Sequence, residues 1–291
     1  MTPASQAGPL RIASRGSALA RWQAHHIASL LGVETELVIV DTTADRRLDI
    51  PIEAMGGKGV FVKEVQAAVL DGRADLAVHS AKDLPALTAD GLVLAAVPER
   101  GDVRDALVGS TLAGLREGAT VATGSQRRRV QLAEQRPDLR FEGLRGNMQT
   151  RLDKAADFDA IVVAAVAFAR LGLEAHLSEV LATDVLLPQV GQGALAVECR
   201  ADDDGARTAL AAIEHGPSRR AVDAERAFLA ELGGDCTIPV GAYATIDGVE
   251  VAMAGLLAGD DGRVHRVHGH DADGERLGRR LARELLHRTS G

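Results

Sequence analysis

Aromatic residues are scarce in this sequence, and their scarcity removes several kinds of ligand from consideration. Five Phe, one Trp and one Tyr are the whole aromatic set among 291 residues, so an exposed ring platform for stacking bases or sugars is not expected. Acidic residues outnumber Lys and Arg by 41 to 33, which gives a formal charge of −8. That charge disfavours nonspecific nucleic-acid binding, so nucleic acid is not an expected partner.

Cysteine and long apolar runs are also scarce. The two cysteines, Cys199 and Cys236, make no disulfide framework and suit a reducing compartment. The first twenty residues have no apolar signal core, and no run is long enough to cross a bilayer. We therefore expect a cytoplasmic protein that works away from membranes, and we expect a monomer.

Common catalytic motifs are missing as well. The glycine cluster Gly56-Gly57-Lys58-Gly59 lacks the Gly-Lys-Ser/Thr ending of a phosphate-binding P-loop. The chain has no Gly-x-Ser-x-Gly elbow, which disfavours a serine hydrolase. The histidines His265, His268 and His270 have no accompanying cysteine or acidic cluster, so no metal site is expected.

The hydrophobic pattern predicts alternating strands and helices over the first two thirds of the chain. Strands are expected at Leu76–Val78 and Thr120–Thr123, and the apolar run 159–164 is typical of a strand buried on both faces. Such alternation implies parallel βαβ units, and the length favours two or three domains. The last 75 residues instead suggest an antiparallel meander flanked by helices, which is a small α+β domain.

The stretch from Gly56 to Pro85 is the most informative part of the sequence. It contains a glycine loop, an amphipathic helix, a short strand and then a polar turn with Lys82 and Asp83. Ligands of open α/β sheets bind beyond the carboxyl ends of the strands, so this turn is a candidate for chemistry. The alternative is a solvated turn. The glycine loop is either a simple flexible connection or a lid, and Phe61 is either a lid residue or part of the core.

Three predicted strand-to-helix turns place hydroxyl or amide side chains beside arginine. They are Ser14-Arg15-Gly16-Ser17, Thr123-Gly124-Ser125 with Arg127 and Arg128, and Arg145-Gly146-Asn147 with Arg151. Free N–H groups at a helix start attract anions, and arginine matches carboxylate or phosphate. One such turn is weak evidence, but three in an acidic protein suggest a ligand with several negative groups. Of the adjacent Arg127, Arg128 and Arg129, one is expected to face solvent.

Cys236 allows two interpretations. A lone cysteine is usually a small buried hydrophobic residue. This one lies in the loop Gly233-Gly234-Asp235-Cys236, where a thiol could serve as a nucleophile or as a covalent attachment point. The residues alone do not decide between these two roles.

Eight motifs, in order along the chain, resemble the hydroxymethylbilane synthase (porphobilinogen deaminase) family. They are RIASRGSALARWQA (11–24), GGKGVFVKE (56–64), AVHSAKDLP (77–85), ERGDVRDAL (99–107), TGSQRR (123–128), LRGNMQTRL (144–152), LPQVGQGALAVECR (187–200) and GGDCTIPVGAYA (233–244). They cover roughly residues 10 to 245, and the last 45 residues match weakly.

The resemblance implies an α/β fold with two periplasmic-binding-protein-like (type II) domains enclosing a cleft, plus a small C-terminal α+β domain. The implied boundaries are 1–98 with 194–215, then 99–193, then 216–291. The implied activity is a transferase reaction that condenses four porphobilinogen molecules into a linear tetrapyrrole with release of ammonia. Hinges are expected at Pro98–Asp102 and Gly191–Gly193.

The resemblance also implies roles for individual residues. Asp83 corresponds to the catalytic aspartate, and Cys236 to the thioether attachment of a dipyrromethane cofactor. The implied cofactor-binding residues are Lys82, Thr123, Ser125, Arg127, Arg128, Arg145, Asn147 and Arg151. Arg15, Ser17 and Arg170 correspond to substrate-side positions, and Lys58 and Phe61 to the lid.

Two residues depart from the family pattern. Gly124 replaces a usual serine, which removes one hydroxyl donor, and Asp235 precedes the cysteine where a small residue is expected. A carboxylate beside a thiol raises the pKa of that thiol by charge repulsion, which would slow cofactor attachment. The alternative function is a noncatalytic small-anion-binding protein with two lobes, and it predicts no covalent addition at Cys236.

Overall fold

The computed structural model describes residues 8–42, 62–233, 238–259 and 262–289. Its first sheet has the strand order β2-β1-β3-β10-β4, with β1 parallel to β2 and β3 and with β10 antiparallel to both of its neighbours. These strands are β1 (Leu10–Arg15), β2 (Thr35–Val40), β3 (Leu76–Ser80), β4 (Leu92–Ala96) and β10 (Leu195–Arg200). The helices of this first lobe are α1 (Ala18–Leu31), α2 (Lys63–Leu70) and α6 (Asp204–Ala211).

Both faces of the first sheet are covered by helices. Ile12 packs with Ala24 and Ile27 of α1 in one hydrophobic cluster, whereas its neighbour Ala13 packs with Val65 of α2 in another. Successive residues of a strand point to opposite faces, so the continuous apolar pattern follows from burial on both sides.

The second sheet has the order β7-β6-β8-β5-β9. Its strands are β5 (Asp105–Val108), β6 (Thr120–Ala122), β7 (Arg140–Glu142), β8 (Ala160–Ala164) and β9 (Glu179–Val180). The helices of this second lobe are α3 (Gln126–Gln135), α4 (Met148–Asp153) and α5 (Ala165–Leu171). The central strand β8 is buried at every position, as its unbroken apolar run predicts.

The C-terminal domain is an antiparallel meander with two helices against it. It consists of α7 (Gly216–Glu231), β11 (Val240–Asp247), β12 (Glu250–Ala258), β13 (Val264–Asp271) and α8 (Gly274–Thr289). The two helices touch at Gly278, where a Cβ would lie 2.2 Å from the Ala224 carbonyl oxygen. The predicted meander is confirmed.

Two segments connect the lobes. The outgoing segment (residues 97–104) leads to β5, and the return segment (residues 181–194) leads back to β10. They meet where Gly101 N–H donates to the Gly193 carbonyl at 3.2 Å. The buried Glu225 carboxylate of α7 fastens both segments to the C-terminal domain, because it accepts from Arg100 Nη1 and from Gly191 N–H, each at 2.7 Å.

The predicted architecture is confirmed: two α/β lobes, each with a five-stranded sheet, and a small C-terminal α+β domain. The return of β10 to the first sheet supports the predicted domain boundaries, which stay a prediction. Several predicted elements have different limits. The strand expected at Thr120–Thr123 ends at Ala122, and the strand expected at Leu76–Val78 extends through His79 and Ser80.

The acidic stretch Asp202–Asp204 contains the start of α6. The Asp203 side chain accepts a hydrogen bond from Ala206 N–H at 2.9 Å and caps the helix. This role is a frequent one for aspartate, because its carboxylate satisfies an N–H group that the first turn leaves unpaired.

Candidate active site

The first lobe contributes Lys82 and Asp83 to the cleft. Both lie in a 3₁₀ turn (Ala81–Asp83) directly after β3, and both are partly buried. Ala81 N–H donates to the Ala194 carbonyl at 3.0 Å, so the turn is held against the return segment. The ammonium of Lys82 donates to Gln192 Oε1 at 3.1 Å. Burial lowers the pKa of Lys82 to about 8, and the charge of Arg128 acts in the same direction while Asp83 opposes it.

His79 belongs to the buried strand β3 and not to the polar turn that holds Lys82. Its Nε2 lies 3.2 Å from Oε2 of the buried Glu198 on β10. That oxygen also accepts from Gln66 Nε2 at 2.8 Å. His79 therefore lies inside the first lobe, away from the candidate chemistry.

The second lobe contributes the start of α3. Ser125 caps this helix by accepting from Arg128 N–H at 3.4 Å, and Thr123 Oγ1 accepts from Ser125 N–H at 3.2 Å. A Cβ at Gly124 would lie 2.8 Å from the Leu144 carbonyl oxygen. In this chain glycine therefore permits a close approach of two loops at the position where the family pattern has a hydroxyl.

Asp105 holds the two predicted cofactor-binding arginines of α3. Its Oδ2 accepts from Arg127 Nη2 at 2.8 Å, and its Oδ1 accepts from Arg128 Nη2 at 2.7 Å. All three side chains are buried, whereas Arg129 is exposed, as the helical spacing predicts. Burial would raise the pKa of Asp105, but the two guanidinium charges outweigh it and lower the pKa to about 2.

This cluster carries more positive than negative charge. Two guanidinium groups share one carboxylate, and Arg127 Nε is buried without a hydrogen-bond partner. Asp105 was not predicted as a site residue from the sequence. A signal was present, because a charged residue at the start of the short apolar run Asp105–Val108 needs a buried partner.

The third basic turn lies at the start of α4. Asn147 caps this helix by accepting from Thr150 N–H at 2.9 Å, and Arg151 Nε donates to the Gly146 carbonyl at 2.9 Å. Burial lowers the pKa of Arg151 to about 10, the charges of Arg128 and Arg145 act in the same direction, and the charge of Asp83 opposes them. Asp83 of the first lobe thus lies within electrostatic range of Arg151 of the second.

The predicted substrate-side residues lie on β1, α1 and α5. Arg15 ends β1, and Ser17 caps α1 by accepting from Ala20 N–H at 3.3 Å. Arg170 of α5 lies 5.5 Å from the ring centre of Trp22 on α1, and its Nη2 donates to the Gly193 carbonyl at 2.8 Å. Burial lowers the pKa of Arg170 to about 10. Arg170 therefore links both lobes to the return segment.

The attachment cysteine and the lid residues predicted from the sequence, Cys236, Lys58 and Phe61, lie outside the described residues. Cys199 is described and completely buried, and burial raises the pKa of its thiol to about 11. It is therefore unsuited to nucleophilic chemistry. Among the described residues there is no group of His, Cys, Asp or Glu that could hold a metal ion. Across the same ranges, no helix is both long and apolar enough to span a membrane.

Two α/β lobes that bring a carboxylate and several cations together form a candidate site for an anionic ligand. Family models identify the chain. Residues 10–208 match "Porphobilinogen deaminase, dipyromethane cofactor binding domain", and residues 220–287 match "Porphobilinogen deaminase, C-terminal domain". The chain belongs to the porphobilinogen deaminase family of transferases.

A curated relative supports this assignment. The chain is 49% identical over 260 residues to a porphobilinogen deaminase of Nitratidesulfovibrio vulgaris (strain DSM 19637 / Miyazaki F), covering 86% of this chain and 82% of the relative. The alternative of a noncatalytic anion-binding protein is not favoured.

Similar solved structures are distant in sequence. The methionine-binding protein MetQ is 12% identical with a TM-score of 0.45, covering 72% of this chain and 91% of MetQ. A putative lipoprotein from Ruminococcus gnavus ATCC 29149 is 11% identical with a TM-score of 0.42, covering 72% of this chain and 93% of the lipoprotein.

The side chains of the cleft fit a dipyrromethane cofactor. Such a group carries several carboxylates, and the cleft offers partly buried cations from both lobes. Lys82 comes from the first lobe and Arg151 from the second. The buried Arg127 and Arg128 add positive charge, and Arg127 Nε has no hydrogen-bond partner. Excess positive charge at low exposure favours a multiply charged anion.

Proposed function

We propose that this chain is a hydroxymethylbilane synthase that condenses four porphobilinogen molecules head to tail, releases ammonia at each step, and uses Asp83 as its catalytic carboxylate. The observation that carries the proposal is that the turn holding Asp83 reaches the second lobe: its neighbour Lys82 donates to Gln192, whose amide donates to Asp105. The charge of Asp83 also acts on Lys82 and Arg151.

The cations bind and orient the growing chain. Each pyrrole ring carries an acetate and a propionate, so every added ring brings two carboxylates into the cleft. Lys82, Arg145 and Arg151 bind them, and each charge-assisted hydrogen bond contributes about 1.5–3 kcal/mol. Arg127 and Arg128 are held rigidly by Asp105, so they act mainly through fixed positive charge at the start of α3.

Asp83 acts at the reacting centre. Pyrrole nitrogens gain positive charge as rings are joined, and a fixed carboxylate stabilises that charge and accepts or returns a proton. The short turn that holds Asp83 is hydrogen-bonded to Ala194 and packs against Gly191. The carboxylate is therefore already in position, and little reorganisation is needed when the reaction occurs.

The dipyrromethane, when bound, supplies the pyrrole terminus to which new rings are joined. We propose that Cys236 holds it through a thioether and that Thr123, Ser125 and Asn147 line its site. The three polar residues start α3 and α4, where helix N-termini favour anions. Arg15, Ser17 and Arg170 are proposed to face the incoming substrate, with Lys58 and Phe61 in a lid.

Intact mass spectrometry with peptide mapping tests the attachment. The purified full chain should carry the mass of two pyrrole units on the peptide that contains Cys236. Cys236→Ser should lack this mass and should be inactive, whereas Cys199→Ala should retain both. An adduct on Cys199, or active enzyme without an adduct, would refute the assignment.

We also propose that the protein works as a monomer in the cytoplasm, with the three domains bounded as the sequence predicts. The buried free thiol of Cys199 suits a reducing compartment. Light scattering during size-exclusion chromatography should give a mass near 30.5 kDa for active protein. A stable dimer that carries all the activity would overturn the monomer proposal.

A further inference from the structure

The return segment passes between the lobes at Gly191-Gln192-Gly193, and the two glycines allow an unusually close approach. Both have left-handed backbone, with φ of 72° and 89°. A Cβ at Gly191 would lie 3.0 Å from the Ala81 carbonyl carbon, and one at Gly193 would lie 2.5 Å from the Gly101 carbonyl oxygen. The side chain between them therefore lies at the junction of the lobes.

That side chain, Gln192, is fully buried and bonds to both lobes. Its Oε1 accepts from Lys82 Nζ at 3.1 Å. Its Nε2 donates to the Val103 carbonyl at 2.7 Å and to Asp105 Oδ1 at 2.9 Å. Lys82 follows β3 of the first sheet, whereas Asp105 starts β5 of the second. One amide thus joins the active-site turn of one lobe to the arginine cluster of the other.

The amide is suited to this place by its chemistry. Among uncharged side chains, an amide both accepts from a cation and donates to an anion. A methionine here would remove the acceptor of the Lys82 ammonium and one of the donors to Asp105 Oδ1, which would keep only its bonds from Arg128. A carboxylate would satisfy Lys82 but would repel Asp105. The Gln192 backbone is fixed too, because its carbonyl accepts from Arg100 Nε at 2.8 Å.

We propose that Gln192 is a positioning residue that sets Lys82 of the first lobe and the Asp105–Arg127–Arg128 cluster of the second at one separation, so that both bind the same anionic ligand. This inference rests on the proposed function. It adds that the separation of the two sets of cations is fixed by a neutral side chain from the return segment.

The pH midpoint at which Lys82 loses its proton reports directly on the hydrogen bond between Lys82 and Gln192. The charged groups that act on Lys82 are Asp83, Asp105, Arg127 and Arg128. Amine labelling of the full-chain enzyme over a range of pH, followed by peptide mapping, gives the midpoint for Lys82. Gln192→Met should lower this midpoint by about one pH unit, because the ammonium loses its acceptor. Gln192→Glu should raise it by a similar amount, because the acceptor becomes negative.

Gln131→Met is a matched control. Gln131 is buried and makes three hydrogen bonds, to the Arg127 carbonyl and to both backbone groups of Leu187, but it does not contact Lys82. Gln131→Met should leave the pH midpoint of Lys82 unchanged. The same shift in Gln131→Met as in Gln192→Met would show a general packing effect and would overturn the proposal.

Turnover provides the second measurement. Gln192→Met should lower kcat/KM for porphobilinogen by about tenfold or more, because the binding groups lose their common geometry. An unchanged Lys82 midpoint in both Gln192 variants refutes the coupling. If Gln192→Met does not fold, the midpoint in Gln192→Glu decides alone. A wild-type enzyme without condensation activity refutes the proposed function instead, while the midpoint still tests the contact.

Discussion

At the scale of single residues, two carboxylates balance part of the charge of four cations in the cleft. The charge of Asp83 acts on Lys82 and Arg151, and Asp105 forms ion pairs with Arg127 and Arg128. The two carboxylates have different roles, because Asp105 is completely buried and already bonded, whereas Asp83 is partly exposed at the cleft. Asp83 is therefore expected to act in catalysis, and Asp105 is expected to stabilise the fold.

Replacing Asp83 by asparagine should lower kcat by about 10²-fold or more, the range for a positioned acid–base group. Binding of the first porphobilinogen should change less, because the cations that bind its carboxylates remain. Single-turnover kinetics separates the two effects. Asp90→Asn, at an exposed position in the following loop, is the matched control. Near-normal turnover in Asp83→Asn would place the chemistry on another residue.

Replacing Asp105 by asparagine should destabilise the fold by about 3–5 kcal/mol, because two buried guanidinium groups lose their charge partner. Urea denaturation measures this change. Asp204→Asn removes an exposed pair with Arg207, whose side chains are 92% and 53% exposed, and should cost no more than about 1 kcal/mol. Equal losses in the two variants would contradict the structural role of Asp105.

The same carboxylate predicts an acid-sensitive stability. The pKa of Asp105 falls from its ordinary 3.8 to about 2 in the folded protein. A depressed folded pKa means that the stabilisation is complete above about pH 4 and is lost as the pH falls towards 2. Wild-type protein should lose free energy of unfolding across this window, and Asp105→Asn should lose less. Parallel pH profiles for the two proteins would refute this assignment.

At the scale of elements, glycine contacts set how closely the connecting segments approach. Gly193 and Gly101 touch where the outgoing and return segments cross, and Gly193 also accepts a hydrogen bond from Arg170. The crossing point therefore belongs to the site as well as to the fold.

Gly193→Ala should be more destabilising than Gly172→Ala. Both glycines have positive φ, of 89° and 67°, so each alanine has strain of about 1–2 kcal/mol. Only at Gly193 does the new Cβ meet backbone, at 2.5 Å, and this overpacking should add about 1–3 kcal/mol. Thermal denaturation and turnover should both show the difference. Equal melting temperatures for Gly193→Ala and Gly172→Ala would mean that the outgoing and return segments can move apart where they cross.

At the scale of the whole molecule, one catalytic carboxylate must serve successive condensations while the product stays attached at one point. The cleft must then enlarge as rings are added, by movement of the lobes away from the junction that Gln192 holds at a fixed separation. The connecting segments at Pro98–Asp102 and Gly191–Gly193 are the proposed hinges, because a few residues there can absorb the change in dihedral angles. The lobes meet at α1 and α5, where Arg170 lies over Trp22.

A crosslink between α1 and α5 tests this movement. Cysteines at the exposed positions His25 and Ala169, joined by a short cleavable linker, should spare early condensations and stall later ones. Enzyme-bound intermediates should then accumulate and be visible by intact mass. The uncrosslinked double variant, and the crosslinked one after cleavage, should complete the tetrapyrrole. Full turnover with a verified crosslink would show that the lobes need not separate.

The sequence by itself determined the local features of this protein. Ser17, Ser125 and Asn147 cap helices at the three predicted basic turns, and Arg129 faces solvent, because capping and helical spacing depend only on residues a few positions apart. The unbroken apolar run also predicted the buried strand β8.

Only the tertiary structure decided which charges are shared. Asp105 and its partner Arg128 are 23 positions apart, and Gln192 lies 87 positions from Asp105 and 110 from Lys82. No local pattern links such residues. Asp105 meets Arg128 because β5 and α3 pack in the same lobe, and Gln192 reaches both lobes because the return segment passes between them. Burial then makes the pairing obligatory, since a charge away from water must find a partner wherever the folded chain supplies one.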